Sequence, residues 1–167
     1  MPYSIAELNQ MSQEAFVKAL GAVFEDTPAI TYQVWNQRPF ADVTELHQQM
    51  VDVVKAMSRE RQLALIQAHP DLGSQAKMAE ASVKEQAGAG LTQLSLEEYD
   101  RFQSLNRAYK DKFGFPFIVA VKNHTKGSIL DTFARRLENS MEAEMEQALT
   151  EIAQIAHFRL VELVKNF

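Results

Sequence analysis

Phe113-Gly-Phe-Pro-Phe-Ile-Val-Ala-Val121 is the longest apolar stretch of this 167-residue sequence, and its reading decides the fold. Gly114 and Pro116 interrupt it, and it is about half the length that a bilayer-spanning helix needs, so no membrane segment is expected. Its last part, Phe117-Ile118-Val119-Ala120-Val121, is the longest candidate strand in the chain and reads either as an extended segment or as buried helix. Everything around it repeats apolar residues at helical spacing. The expected fold is therefore all-α, a single compact domain over residues 1–167 with about seven to nine helices.

Upstream of the apolar stretch, a helix is predicted from about Leu96 to Lys112, carrying Tyr99, Phe102, Leu105 and Tyr109 and ended by Gly114. Downstream, Ser128 is expected to open a helix through Leu130, Phe133 and Leu137, and a last helix runs from about Met141 to Val164. Ser4 with Glu7, Asp42 with Glu45 and Ser95 with Glu98 have the capping-box spacing, in which a short polar side chain and a returning carboxylate satisfy two orphan amides. Thr27-Pro28 resembles a cap followed by proline at the first helical position. Phe16, Leu20, Val23 and Phe24 form one stripe, and Leu46, Met50, Val53, Val54 and Met57 another. A short helix from Ser58 through Leu63 and Ile66 must stop near His69, because Pro70 disfavours helical geometry in the residue before it. A second short segment, Ser82 to Ala87, runs into Gly88-Ala89-Gly90, where glycine can take the left-handed cap conformation.

Hydrophobic residues make up 46% and charged residues 23%, values that place the chain among folded globular proteins. The net charge of -5 argues against non-specific binding to nucleic acid or to an anionic membrane, since both need a positive field. Cysteine is absent, which removes disulfides, thiolate metal sites and cysteine nucleophiles together and fits a reducing compartment. The N-terminus has no basic region followed by an apolar run, and Lys165-Asn166-Phe167 is not a peroxisomal tripeptide, so a cytoplasmic location is expected.

Four features carry possible chemistry. In the last helix Met145, Leu149, Ile152, Ala156 and Leu163 form a stripe, and Arg159 falls about forty degrees from its centre at a hundred degrees per residue. Such an arginine either snorkels or pairs with a buried carboxylate, which geometry alone favours, or meets a ligand's carboxylate or carbonyl with two parallel hydrogen bonds. His69 sits at a helix end on a turn that includes Asp71 and Gly73, where a group titrating near neutrality can be presented rigidly, although a lone histidine is more often an ordinary surface residue. Ser82, Glu85 and Gln86 share one turn. Capping explains Ser82 and Glu85 and leaves Gln86 unexplained. The segment from Phe117 to Val121 is most simply a buried wall, yet glycine and proline near it leave backbone groups that no helix consumes and that a polar planar ligand can use. His47, His124 and His157 have no ligand spacing, and no metal site is expected. Gly88-Ala89-Gly90 lacks a preceding strand and a third glycine, so it is not a dinucleotide loop.

His69-Pro70-Asp71-Leu72, Ser82-x-x-Glu85-Gln86-Ala87-Gly88, Phe113-Gly114-Phe115-Pro116-Phe117 and Arg159-Leu160 occur in an order and spacing that resemble the 2-oxo-4-hydroxy-4-carboxy-5-ureidoimidazoline (OHCU) decarboxylases along nearly the whole chain. Together the four motifs are specific, while any one alone is weak. The resemblance implies an all-helical, cofactor-free and commonly dimeric enzyme, here a homodimer, that converts OHCU to (S)-allantoin and carbon dioxide at the end of urate oxidation. It further implies that His69 is the catalytic histidine, with Glu85 beside it. Pro70, Ser82, Gln86, the backbone of Phe117, Ile118, Val119, Ala120 and Val121, and Arg159 would line the substrate site. Arg135 and Arg136 lack the combination of apolar stripe and family position that Arg159 has. A non-catalytic helical module that binds a ureide or purine derivative is the alternative, and a hydrolase of a neighbouring ureide a third reading.

Overall fold

The structure, a computed structural model, describes residues 2–73 and 80–165, with side chains for all of these except 80–83. Among the described residues there are nine α-helices and no strand, as the helical periodicity predicts. They are α1 (Ile5–Gln10), α2 (Gln13–Leu20), α3 (Pro28–Val34), α4 (Val43–Ala56), α5 (Arg59–Gln67), α6 (Glu80–Gly88), α7 (Leu96–Phe113), α8 (Lys126–Arg136) and α9 (Met141–Leu163), with short 3-10 turns at Trp35–Gln37 and Val121–Asn123. No helix among them is long and apolar enough to cross a membrane. The chain forms two compact units, one from Met1–Leu65 with Ala153–Phe167 and the other from Ile66–Ile152.

Local chemistry sets most helix starts. Ser4 and Ser95 make complete capping boxes with Glu7 and Glu98, and the serine hydrogen bonds hold both carboxyls below their ordinary range. Asp42 accepts from the Glu45 amide at 2.8 Å, but the Glu45 carboxylate reaches back to the Ala41 amide at 2.7 Å, one residue beyond the expected partner. The Thr27 hydroxyl donates to the Glu25 carbonyl at 2.7 Å instead of capping α3, which starts on Pro28 with no side-chain cap. Helix α8 starts at Lys126, earlier than Ser128, because Ser128 is the returning member of a capping box whose first member is Thr125. Gly114 ends α7 in the left-handed conformation at φ 77°.

In the first unit, α3 packs against α2 and α4. Leu8, Phe16, Leu20, Ile30, Val34, Leu46 and Met50 are buried there, as are Ile155, Ala156 and Leu160 of α9. Val23 and Phe24, expected on the α2 stripe, lie beyond the helix end and are still buried. Residue 3 forms an isolated bridge with residue 164, the Tyr3 amide donating to the Leu163 carbonyl at 2.8 Å. In the second unit, α7 packs against α8, and α6 packs against the Val121–Asn123 turn. Its core is aromatic: Tyr109 lies 4.5 Å from Phe113 and 5.4 Å from Phe117, and Phe117 stacks on Phe133 at 3.9 Å.

Candidate active site

Three of the four motifs gather in the second unit. Helix α5 ends at Gln67, and the His69 amide still donates to the Ile66 carbonyl at 3.2 Å, so the histidine sits two residues past the helix end, 9% exposed. The turn that follows is clamped from two helices. Gln86 of α6 accepts from the Gly73 amide at 3.0 Å and donates to the Asp71 carbonyl at 3.4 Å. From α7, Asn106 donates to the Leu72 carbonyl at 2.9 Å, and Lys110, one helical turn on, meets the Asp71 carboxylate at 2.8 Å. Gly73 has φ 68°, and a Cβ there would lie 3.0 Å from Leu94 and 3.3 Å from Phe102. Only glycine closes this turn without strain.

Gln86, which capping left unexplained, is thus a buried brace for the His69 turn. Glu85 is its neighbour on α6 and is half-buried, as is Pro70. The side chain of Ser82 lies outside the described residues. Phe117 to Ala120 run without regular hydrogen bonding and Val121 begins the 3-10 turn, all five being buried. Of the two readings left open for this segment, the extended one holds for residues 117–120. Two of its backbone groups are used internally: the Ile118 carbonyl accepts from Arg136 at 2.6 Å, and the Ala120 amide donates to Glu151 at 3.0 Å.

Arg159 belongs to the first unit. It is 5% exposed and donates to the carbonyls of Ala22 at 3.2 Å and Val23 at 3.4 Å, and it pairs with the buried carboxylate of Glu25 at 3.4 Å. The pairing with a buried carboxylate is the arrangement that geometry favoured. Arg159 is also more central than expected. The buried face of α9 runs through Glu144, Ala148, Glu151, Ile152, Ile155, Arg159 and Leu160, whereas Leu149 and Leu163 are only half-buried.

Sequence reasoning missed three charged residues of the second unit. Arg136, set beside Arg135 as an ordinary cation, is 4% exposed and pairs with fully buried Glu144 at 2.8 Å, its guanidinium 4.4 Å over the Phe117 ring. Glu144 also accepts from the Tyr109 hydroxyl at 2.7 Å and from Asn139 at 2.9 Å. Burial, and next the bond to Glu144, push the Tyr109 phenol well above its ordinary range. Glu151 takes the Ala120 amide. Spacing was the available signal: Ile129, Phe133 and Arg136 share one face of α8.

Of the remaining histidines, His47 contacts the Ala153 carbonyl at 2.8 Å and lies edge-on to His157, and His124 contacts Ser128 at 2.9 Å. Among the described residues no group of three or more His, Cys, Asp or Glu is arranged to hold a metal.

Comparison with known proteins agrees with the family resemblance. The family model of OHCU decarboxylases matches residues 9–161. An OHCU decarboxylase of Halalkalicoccus jeotgali is 42% identical over 160 residues, covering 96% of this chain and 91% of that protein. The uric acid degradation bifunctional protein PucL of Bacillus subtilis is 44% identical over 97% of this chain, which matches 33% of its length. A crystal structure of (S)-allantoin synthase superposes with a TM-score of 0.80 at 27% identity, covering 96% of this chain and 54% of the other. With the family model running through both units and with full-length relatives at this identity, the chain belongs to the OHCU decarboxylase family.

Proposed function

We propose that this chain decarboxylates OHCU to (S)-allantoin and carbon dioxide in urate breakdown, with His69 and Glu85 as the proton-transfer pair. The observation that supports it most is the meeting of the His69 turn, α6 and the Phe117–Val121 wall in one unit, within a family match that spans residues 9–161. That match crosses both units without a break, which supports treating 1–167 as one functional domain. A homodimer in the cytoplasm is part of the same reading.

The substrate's carboxylate-bearing carbon adjoins a ring carbon doubly bonded to nitrogen. When the carbon–carbon bond to the carboxylate breaks, its electron pair moves into that imine, and carbon dioxide leaves. The former imine nitrogen, which now carries the pair, takes one proton and the ring carbon beside it another, while the enol hydroxyl releases its proton as it becomes the carbonyl of allantoin. The substrate is its own electron sink, so no external one is needed. The protein has to hold the planar ring, keep the breaking bond perpendicular to it, and deliver the proton to one face. His69, braced by Gln86, Asn106 and the glycine turn, is placed rigidly enough to do so. Pro70, Ser82, Gln86, the 117–121 backbone and Arg159 are the substrate-binding residues of this reading, and the planar fork of an arginine suits a carboxylate or carbonyl.

The direct test supplies freshly generated OHCU and follows carbon dioxide together with optical rotation. Rapid release with one hand of allantoin is expected. Binding of allantoin without release would indicate a non-catalytic ureide-binding module. Turnover should be unchanged after exhaustive chelation and dialysis, since nothing in the chemistry asks for a metal. Activity lost on chelation and restored by one added metal would end the cofactor-free reading.

Arg159→Ala should weaken catalytic efficiency far more than Arg135→Ala, which removes an exposed cation. Arg136 is unsuitable for this comparison because it is buried in its own ion pair. Since Arg159→Ala takes the Arg159 charge away from the buried Glu25 carboxylate, the measurement belongs in a Glu25→Gln background, which removes that charge. Arg159→Lys should recover little, as one point charge cannot reproduce the fork. Wild-type kcat/KM in the folded Ala variant would make Arg159 a structural residue.

A further inference from the structure

We propose that Arg136 and Glu151 are positioning residues that aim the backbone of Val119 at the substrate. The inference rests on the functional reading above in taking the 117–121 wall as part of the substrate site. Arg136 on α8 holds the Ile118 carbonyl and Glu151 on α9 holds the Ala120 amide, so the peptide groups on both sides of Val119 are fixed by buried charged side chains. Among the described residues the one cis peptide is Arg38–Pro39, so both of these groups are planar and trans. In a trans peptide the carbonyl and the amide point in opposite directions. The Val119 amide therefore points away from the atom that Arg136 holds, and the Val119 carbonyl points away from the atom that Glu151 holds.

Val119 is 3% exposed, and among the described residues no hydrogen bond reaches its amide or its carbonyl. Buried backbone groups are nearly always paired, so a donor and an acceptor left open on one residue point to a ligand. Such a pair is the complement of an edge that carries N–H beside C=O, as a ureide or a lactam ring does. The supports are themselves locked: Gln147 donates to the other Glu151 oxygen at 3.0 Å, and Arg136 is held by Glu144 and by the Phe117 ring. Charged anchors keep the peptide planes from rotating when the ligand leaves.

The test compares wild type, Glu151→Leu and Glu151→Gln. Glu151→Leu removes the acceptor, and KM for OHCU should rise about tenfold or more, the scale of one charge-assisted hydrogen bond, with a smaller change in kcat. Glu151→Gln retains an acceptor oxygen and should bring KM back to within about threefold of wild type. A purely structural Glu151 would instead lower the unfolding midpoint and the active fraction while KM stayed put, and that outcome overturns the proposal. A second measurement needs no variant: in wild type labelled with 15N-valine, the Val119 amide resonance should move downfield and its hydrogen exchange slow when (S)-allantoin is added. An unmoved Val119 signal at saturating allantoin also overturns it. Wild type that fails to release carbon dioxide from OHCU would defeat the functional reading instead, and the allantoin titration would still report on the positioning.

Discussion

His69→Asn should fold normally and lose most of the decarboxylation rate, by a factor of about a hundred to ten thousand, the range over which positioned acid–base groups act. Asparagine approximates the shape of the imidazole without its proton chemistry. The turn should survive the change, since its bonds to Gln86, Asn106 and Lys110 come from Asp71, Leu72 and Gly73. Glu85→Gln should lose a similar amount, because a neutral amide neither holds a proton for the histidine nor balances its charge. The double variant should be little worse than the more damaged single one, as residues that act as a unit are non-additive. Stereochemistry gives a second readout. Carbon dioxide lost without a fixed donor leaves an intermediate that water protonates on both faces, so the slow residual product should approach a racemate. Initial rates and circular dichroism of the allantoin formed measure both effects. Fully additive losses would separate the two residues, and an unchanged rate in His69→Asn would take His69 out of the mechanism.

What the sequence could announce was local. Capping boxes at Ser4 and Ser95 need only residues three apart, and Gly114 needs only its own freedom to turn left-handed, so both are visible without the fold. Periodicity reaches a little further. It drew attention to Arg159, because an arginine near the stripe of Ile152, Ala156 and Leu163 breaks an apolar pattern. Arg136, Glu144 and Glu151 have the same spacing relation to buried neighbours and went unread, since a charge is ordinarily taken to mark the solvent face. Their burial is explained by partners 4 to 35 residues away, most of them distant, such as Tyr109 for Glu144 and Ala120 for Glu151. The braces on the His69 turn are equally non-local, Gln86 lying 13 residues and Asn106 34 residues from the backbone atoms they hold. Motif order identified which segments matter, and tertiary pairing decided what each side chain does there. Gln86 shows the difference: named as a ligand residue by its motif, it is engaged with the Asp71 and Gly73 backbone.

Glu144→Ala should give the largest loss of stability of any single substitution in the second unit. Its carboxylate is fully buried and gathers three donors, the Tyr109 hydroxyl, the Arg136 guanidinium and the Asn139 amide, at 2.7 to 2.9 Å. Removing it leaves the Arg136 charge inside an aromatic core with no counter-ion, and breaking one side of a buried pair costs about 3–5 kcal/mol. That is a large share of the roughly 5–15 kcal/mol by which a native protein is stable. The pair itself need not be stabilising. Desolvating two charges offsets much of their attraction, so Arg136→Met with Glu144→Leu should recover most of the loss, and a double variant as unstable as Glu144→Ala would show that the lost hydrogen bonds dominate. Urea unfolding midpoints with slopes decide between these. The network also fixes the sign of an alkaline effect. Burial and then Glu144 raise the folded-state pKa of Tyr109, so the stability from keeping this phenol neutral is complete below the ordinary tyrosine value of about 10 and declines as pH rises beyond it, where only the unfolded chain releases the proton. Tyr109→Phe should remove that part of the alkaline slope, and an identical slope in the variant would assign the alkaline loss to other groups.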